Sequence, residues 1–228
     1  MSDGGCTNCK AKPGCEDRKG PMLAQIDDVL ARLYPTRTWG EARDEESESV
    51  PADDLSALAE ELALELKAAT FVHPGDDSEP CDYIYVMCMG RSPCIVAVRD
   101  HDVEIPDEWR TSDRIDELYL RVVISQRSRV AAVQQIAISA TRQEDGSFVI
   151  REAPRAGVYD APLLPRMQKL VAVLPAYDLA HVDFGEIAHA PPGFHAGVWG
   201  ELFGGQPSIA NYLFFPQPTT MVSTSVVS

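Results

Sequence analysis

The sequence lacks any long apolar run. None of its 228 residues lies in a stretch that approaches the roughly eighteen consecutive apolar positions needed to span a bilayer. No apolar core of a secretory signal follows the initiator Met. These absences predict a cytoplasmic protein without a membrane span.

Several well-known catalytic and nucleotide-binding motifs are also missing. There is no GxGxxG, P-loop, GxSxG, HExxH or EF-hand loop, which argues against the enzyme and calcium-binding classes built on them. Basic residues are scarce, with 20 Lys and Arg against 35 Asp and Glu and a formal net charge of -15. Phosphate backbones and anionic membrane surfaces should repel such a chain, so nucleic acid is not expected as a partner.

The charge is distributed unevenly along the chain. Residues 41–61 contain nine acidic residues and one basic residue, and residues 41–54 have no apolar periodicity. No Lys or Arg follows Lys169, and no charged residue follows Glu201. The uncharged tail, residues 206–228, contains the apolar run IANYLFF and should pack on its own domain, on a partner or on a second copy of the chain.

Hydrophobic periodicity predicts an α+β fold. Helical spacing of apolar residues occurs in the segments 20–35, 51–70 and 161–174, and strand-like runs occupy 82–89, 94–100, 117–125, 130–142 and 147–152. The first two runs flank Gly-Arg-Ser-Pro, which predicts a hairpin. We expect a mostly antiparallel sheet of about five strands packed with helices and preceded by a Cys-rich N-terminal arm. The predicted divisions are a metal-binding arm (1–20), a helix with an acidic linker (21–50), the α+β domain (51–205) and the tail (206–228).

Three of the six cysteines lie within ten positions of the arm. Cys6 and Cys9 form a CxxC pair that can present two thiolates to one metal ion, and Cys15 follows a glycine that permits the bend for a third ligand. Metal sites of this kind usually have four ligands. The fourth could be Cys81, Cys88 or Cys94, or else Asp17, a histidine or a cysteine of another chain.

Basic residues alternate with these cysteines. These basic residues are Lys10, Lys12, Arg18 and Lys19. They would stabilise thiolates and the negative charge of an iron-sulfur cluster, which favours a cluster over zinc as the bound metal. The spacing matches neither common ferredoxin pattern, so zinc, a redox-active dithiol and simple exposed thiols remain alternatives. In the predicted hairpin Cys88 and Cys94 would face each other, although burial in apolar strands is the commoner role of cysteine.

A second group of metal-ligating residue types lies between residues 181 and 195. It comprises His181, Asp183, Glu186, His189 and His195. Glu186 and His189 have the Glu-x-x-His spacing of di-iron carboxylate proteins, but only one half of that motif is present. Structural roles are therefore predicted for these histidines.

The sequence leads to one functional hypothesis and two alternatives. The first is a cytoplasmic iron-sulfur accessory protein that docks on a redox enzyme or its assembly machinery, with the acidic segment steering it to a basic partner. The alternatives are a zinc-stabilised protein-interaction module without a redox role and a thiol-dependent enzyme that uses Cys9 or Cys15.

Overall fold

Helices and strands both contribute to the fold. The computed structural model describes residues 21–39, 49–75, 81–100, 103–155, 160–197, 200, 205–214 and 223–227. The helices are α1 (Pro21–Leu33), α2 (Ala52–Leu66), α3 (Ile95–Asp100), α4 (Asp107–Arg110), α5 (Leu164–Val173) and α6 (Ile209–Leu213). The strands are β1 (Thr70–His73), β2 (Cys81–Met89), β3 (Arg114–Ser125), β4 (Val130–Arg142), β5 (Phe148–Arg155), β6 (Ala180–Val182) and β7 (Ser223–Val227). Among these helices, none has the length and apolarity to cross a membrane.

One mainly antiparallel sheet organises these elements. Its strand order is β1-β2-β3-β4-β5-β7, and β6 pairs in parallel with the first three residues of β4. Strands β4 and β5 are joined by a tight turn in which Gly146 has a φ of 88°. A positive φ is a conformation that glycine adopts without steric cost. The side chain of Asp145 accepts a hydrogen bond from the Ser147 amide at 2.9 Å and stabilises this turn.

Each face of the sheet is covered by helices. The first face packs against α1, α3, α4 and α6, with side chains that include Leu30, Ile95, Trp109 and Tyr212. The second face packs against α2 and α5, whose apolar residues include Leu58, Leu62 and Leu170. The fold is therefore a helix-sheet-helix arrangement, and residue alternation along the strands decides which core each side chain joins.

The α+β class is confirmed, and the observed sheet is larger than the predicted one. Strands β1, β6 and β7 had no counterpart among the predicted strands, and the tail supplies β7. The prediction of a hairpin strand at 94–100 is wrong, because Ile95–Asp100 forms the helix α3. Strand β2 pairs instead with β3, which follows later in the chain.

A carboxylate from the sheet explains why this segment is helical. Glu117 of β3 accepts hydrogen bonds from the amides of Arg91 at 3.1 Å and Ile95 at 2.7 Å. Ile95 is the first residue of α3, and first-turn amides have no partner within their own helix. The Glu117 carboxylate therefore caps α3 from a distant part of the sequence.

Residues 207–214 of the tail are buried in the chain's own core. Ile209, Tyr212, Leu213 and Phe214 are each 2% exposed or less. The side chain of Ser208 caps α6 together with Asn211. Packing within the chain, one of the outcomes predicted for the tail, is thus observed for these residues.

Candidate functional site

The three cysteines on which the metal prediction depends, Cys6, Cys9 and Cys15, lie outside the described residues. The other three are free thiols within the domain. Over the described ranges, no group of three or more His, Cys, Asp or Glu residues is arranged to hold a metal ion. The metal site therefore stays a prediction.

Cys81 and Cys94 belong to the core on the first face of the sheet. Cys81 begins β2, is fully buried, and its sulfur lies 3.0 Å from the hydroxyl oxygen of Tyr83. The sulfur of Cys94 accepts a hydrogen bond from the amide of Ala97 at 3.4 Å. Burial raises the pKa of the Cys94 thiol. Because metals bind the thiolate, these surroundings disfavour Cys94 as a ligand.

Cys88 lies on the opposite face of the sheet. It is half-buried beside the core formed by α2 and α5, so the predicted approach of Cys88 and Cys94 across a hairpin is wrong. Burial raises the pKa of the Cys88 thiol, and the nearby guanidinium of Arg166 partly offsets this effect. Of the three cysteines in the domain, Cys88 is the least buried.

The histidine-rich segment forms a turn around Asp183. The Asp183 carboxylate accepts a hydrogen bond from the Gly185 amide at 2.6 Å, and its carbonyl accepts one from Glu186 at 3.1 Å. Glu186 and His189 are exposed on this turn and do not share a helical face. Burial lowers the pKa of His181, whose Nε2 is buried and has no hydrogen-bond partner among the residues that the structure describes.

His195 serves the fold through its backbone. Its amide donates to the Arg37 carbonyl at 2.8 Å, and its carbonyl accepts from the Trp39 amide at 2.9 Å. The Tyr212 hydroxyl also donates to this carbonyl, at 3.1 Å. These bonds tie the segment after α1 to the segment before α6, whereas the His195 side chain is exposed.

A group of polar and charged side chains is buried in the core on the first face of the sheet. We call Tyr85, Arg99, Arg121, Gln134 and Glu152 the Arg121 cluster. Arg121 is only 5% exposed and Glu152 also 5%. Charged side chains are rarely buried this deeply unless they are paired, because removing a charge from water is costly.

Arg121 is held by neighbours on every side. It donates to the Gln134 side chain at 2.7 Å and 3.0 Å and to Glu152 Oε2 at 3.1 Å. Its guanidinium also lies over the rings of Tyr83 and Tyr85, at 4.8 and 5.6 Å from their centroids. The planar guanidinium suits such combined stacking and hydrogen bonding.

Arg99 extends the cluster towards the surface. It pairs with Glu152 through Nη1 and with Asp100 through Nη2 at 2.8 Å. Asp100 in turn faces His73 of β1, with 3.4 Å between Oδ2 and Nδ1. Although burial opposes ionisation of Asp100, the hydrogen bonds from His73 and Arg99 lower its pKa to about 2.

This arrangement places a histidine-carboxylate pair at the rim of a rigid ionic network. The His73 side chain is 41% exposed, whereas that of Asp100 is 12% exposed. An exposed histidine hydrogen-bonded to a fixed carboxylate is a suitable proton donor or acceptor. With Asp100 added to the Arg121 cluster, two arginines are matched by two carboxylates.

Sequence analysis missed the Arg121 cluster. Its members come from β2, α3, β3, β4 and β5, and they meet only once the sheet has formed. One signal was present: Arg121 interrupts the apolar run ELYLRVVIS at a position that alternation assigns to a buried face. A charge at such a position indicates a buried partner elsewhere.

Comparison with known proteins assigns neither a family nor a function to the chain. No protein-family model matches the chain, no curated protein matches it, and no solved structure matches it.

Proposed function

We propose that this chain is a cytoplasmic iron-sulfur accessory protein that binds its cluster through Cys6, Cys9 and Cys15. The observation that carries the proposal is the presence of three cysteines within ten positions, alternating with four basic residues. Thiolates are the protein ligands of iron-sulfur clusters, and neighbouring cations stabilise both the thiolates and the negative cluster. The cluster would pass electrons or report cluster status to a redox enzyme or its assembly machinery.

The surroundings of the domain cysteines bear on the fourth ligand. Cys81 and Cys94 are buried in the core, and removing them from it would disturb packing. Cys88 is more accessible; burial raises the pKa of its thiol, and the charge of Arg166 beside it partly offsets this effect. Its greater exposure favours Cys88 over Cys81 and Cys94 as the fourth ligand.

Helix α2 offers a surface for a basic partner. Asp53, Asp54, Glu60 and Glu65 are exposed along it, and the linker before it is also acidic. Complementary charge accelerates encounter between proteins and weakens with added salt. Residues 209–214 of the tail are buried, so the apolar contact expected from the tail does not enter the proposal.

The first prediction concerns metal content. Protein expressed with iron and purified without oxygen should be brown, with broad visible absorbance that air or a chelator bleaches, and should contain iron and acid-labile sulfide. The Cys6→Ser/Cys9→Ser/Cys15→Ser variant should be colourless. Cys88→Ser should lower cluster occupancy if Cys88 is the fourth ligand, whereas Cys94→Ala serves as the control.

Other outcomes decide between the alternatives. About one zinc per chain without sulfide would establish the zinc-stabilised interaction module instead. The absence of both metals after anaerobic expression would contradict both metal hypotheses.

A thiol-dependent enzyme is the second candidate, favoured by the His73–Asp100 pair. Such an enzyme needs a base beside its thiol, and no sequence motif supplied one. If Cys9 or Cys15 acts with His73, one of these thiols should react with iodoacetamide well below pH 8. In His73→Gln, mass spectrometry should show that this thiol reacts with iodoacetamide only near pH 8 and above, as an ordinary cysteine does. The same pH profile of reaction in His73→Gln as in the wild type would rule out this candidate.

A further inference from the structure

A small cavity between α2 and α5 gathers basic side chains. It has a volume of about 280 Å³ and is lined by Glu65, Leu66, Lys67, Pro165, Arg166 and Lys169. We call it the α2/α5 pocket. Three cations outnumber the single carboxylate in this lining, within a chain whose formal net charge is -15.

The three cations lack carboxylate partners in the described parts of the chain. Arg99, Arg110, Arg114, Arg121 and Arg155 each form an ion pair with Asp or Glu. Lys67, Arg166 and Lys169 form none with any residue in the described ranges. Arg166 lies beside the thiol of Cys88.

The positions of Arg166 and Lys169 are unfavourable for the fold alone. Arg166 lies in the first turn of α5, where the helix dipole disfavours positive charge. Lys169 follows it by three residues, and like charges at this spacing repel each other. Lys67, in contrast, is the C-cap of α2, where the helix dipole favours positive charge. A bound anion would offset both the repulsion and the dipole.

We propose that the α2/α5 pocket binds a small phosphate-bearing molecule, with Lys67, Arg166 and Lys169 contacting the phosphate. Guanidinium and ammonium groups are the usual protein donors to phosphate oxygens. Leu66 and Pro165 supply apolar surface for an organic group, and the cavity is larger than inorganic phosphate requires. The ligand is a small molecule because the acidic protein as a whole repels polyanions.

The local attraction survives the net negative charge of the protein. At physiological salt, charges further than about 8 Å from the ligand are largely screened. The three lining cations thus dominate over the acidic residues elsewhere on the surface. Glu65 limits the negative charge that a ligand can carry, because its carboxylate lies in the same lining and would repel the most highly charged anions.

Calorimetric titration of the full chain with inorganic phosphate and with phenyl phosphate, at about 0.15 M salt, tests this proposal. We expect saturable binding, tighter for phenyl phosphate, that Arg166→Gln/Lys169→Gln weakens at least tenfold. The matched control is Arg110→Gln/Arg114→Gln, which removes two exposed basic charges elsewhere and should leave the affinity unchanged. Thermal unfolding should show that both variants are folded, since all four side chains are at least partly exposed.

Two results would overturn the proposal. The first is the absence of saturable binding of either probe to the wild-type chain. The second is an equal loss of affinity in the control variant, which would show that only net charge attracts the anion.

Discussion

At the residue scale, Glu152 decides whether the buried charges are compatible with the fold. Its carboxylate contacts Arg99, Arg121 and the Tyr85 hydroxyl, and only 7% of its side chain is exposed. A buried pair need not stabilise a protein more than apolar residues of the same volume would. Removing one partner, however, leaves a charge without compensation in a medium where water cannot replace it.

Glu152→Gln should therefore lower the free energy of unfolding by about 3–5 kcal/mol. Chemical denaturation measures this change. The control is Asp116→Asn, which breaks an ion pair with Arg114 whose side chains are 61% and 59% exposed and should cost less than about 1 kcal/mol. Equal effects in the two variants would contradict a special role for the buried carboxylate.

A second prediction at this scale concerns acid stability. The pKa of Asp100 is about 2 in the folded protein, because hydrogen bonds from His73 and Arg99 outweigh the opposing effect of burial. An unfolded aspartate has a pKa of about 3.9, so the folded state gains stability that is present above about pH 4 and lost as the pH falls towards 2.

The loss should be on the order of 2 kcal/mol. Denaturant unfolding between pH 5 and pH 2.5 should show a smaller decrease of stability in Asp100→Asn than in the wild type. Asp107→Asn, at a side chain fully exposed to solvent, should retain the wild-type slope. A variant curve parallel to the wild-type curve would show that Asp100 titrates normally.

At the scale of elements, long periodic segments could be predicted and short ones could not. The strand predicted at 130–142 coincides with β4, and the leucines of 51–70 lie in α2. The six residues of α3 are too few to distinguish a period of 3.6 from one of 2, and Glu117, which caps it, lies 22 positions away from Ile95. The Arg121 cluster escaped prediction for the same reason: its contacts depend on strand pairing, which local sequence does not encode.

Helix α6 provides a prediction at this scale. Leu213 is 1% exposed in the core that α6 shares with the sheet, whereas Val226 of β7 is 65% exposed. Leu213→Ala should lower the free energy of unfolding by about 2–5 kcal/mol, because it removes buried apolar surface and leaves a cavity. Val226→Ala should change it by less than about 0.5 kcal/mol. Thermal and denaturant unfolding compare the two, and similar values would place α6 outside the cooperative core.

At the scale of the whole molecule, distant parts of the sequence close one core. The hydroxyl of Tyr34, just after α1, donates to the carbonyl of Tyr212 in α6 at 2.9 Å, and their rings lie 4.9 Å apart. Ile26 and Leu30 of α1 belong to the same core. The cysteine arm is thus attached to a helix that the domain itself holds in place.

This attachment predicts that the domain does not need the arm to fold. Both cores described above are built from residues at or beyond Ile26, and burial of their apolar surface supplies the main stabilisation. A chain that starts at residue 21 should unfold cooperatively, within a few degrees of the metal-free full chain. Calorimetry measures this, with Leu30→Ala, at a fully buried position, as a positive control expected to lose about 2–5 kcal/mol. Loss of cooperative unfolding on deletion would instead show that the arm is integral to the core.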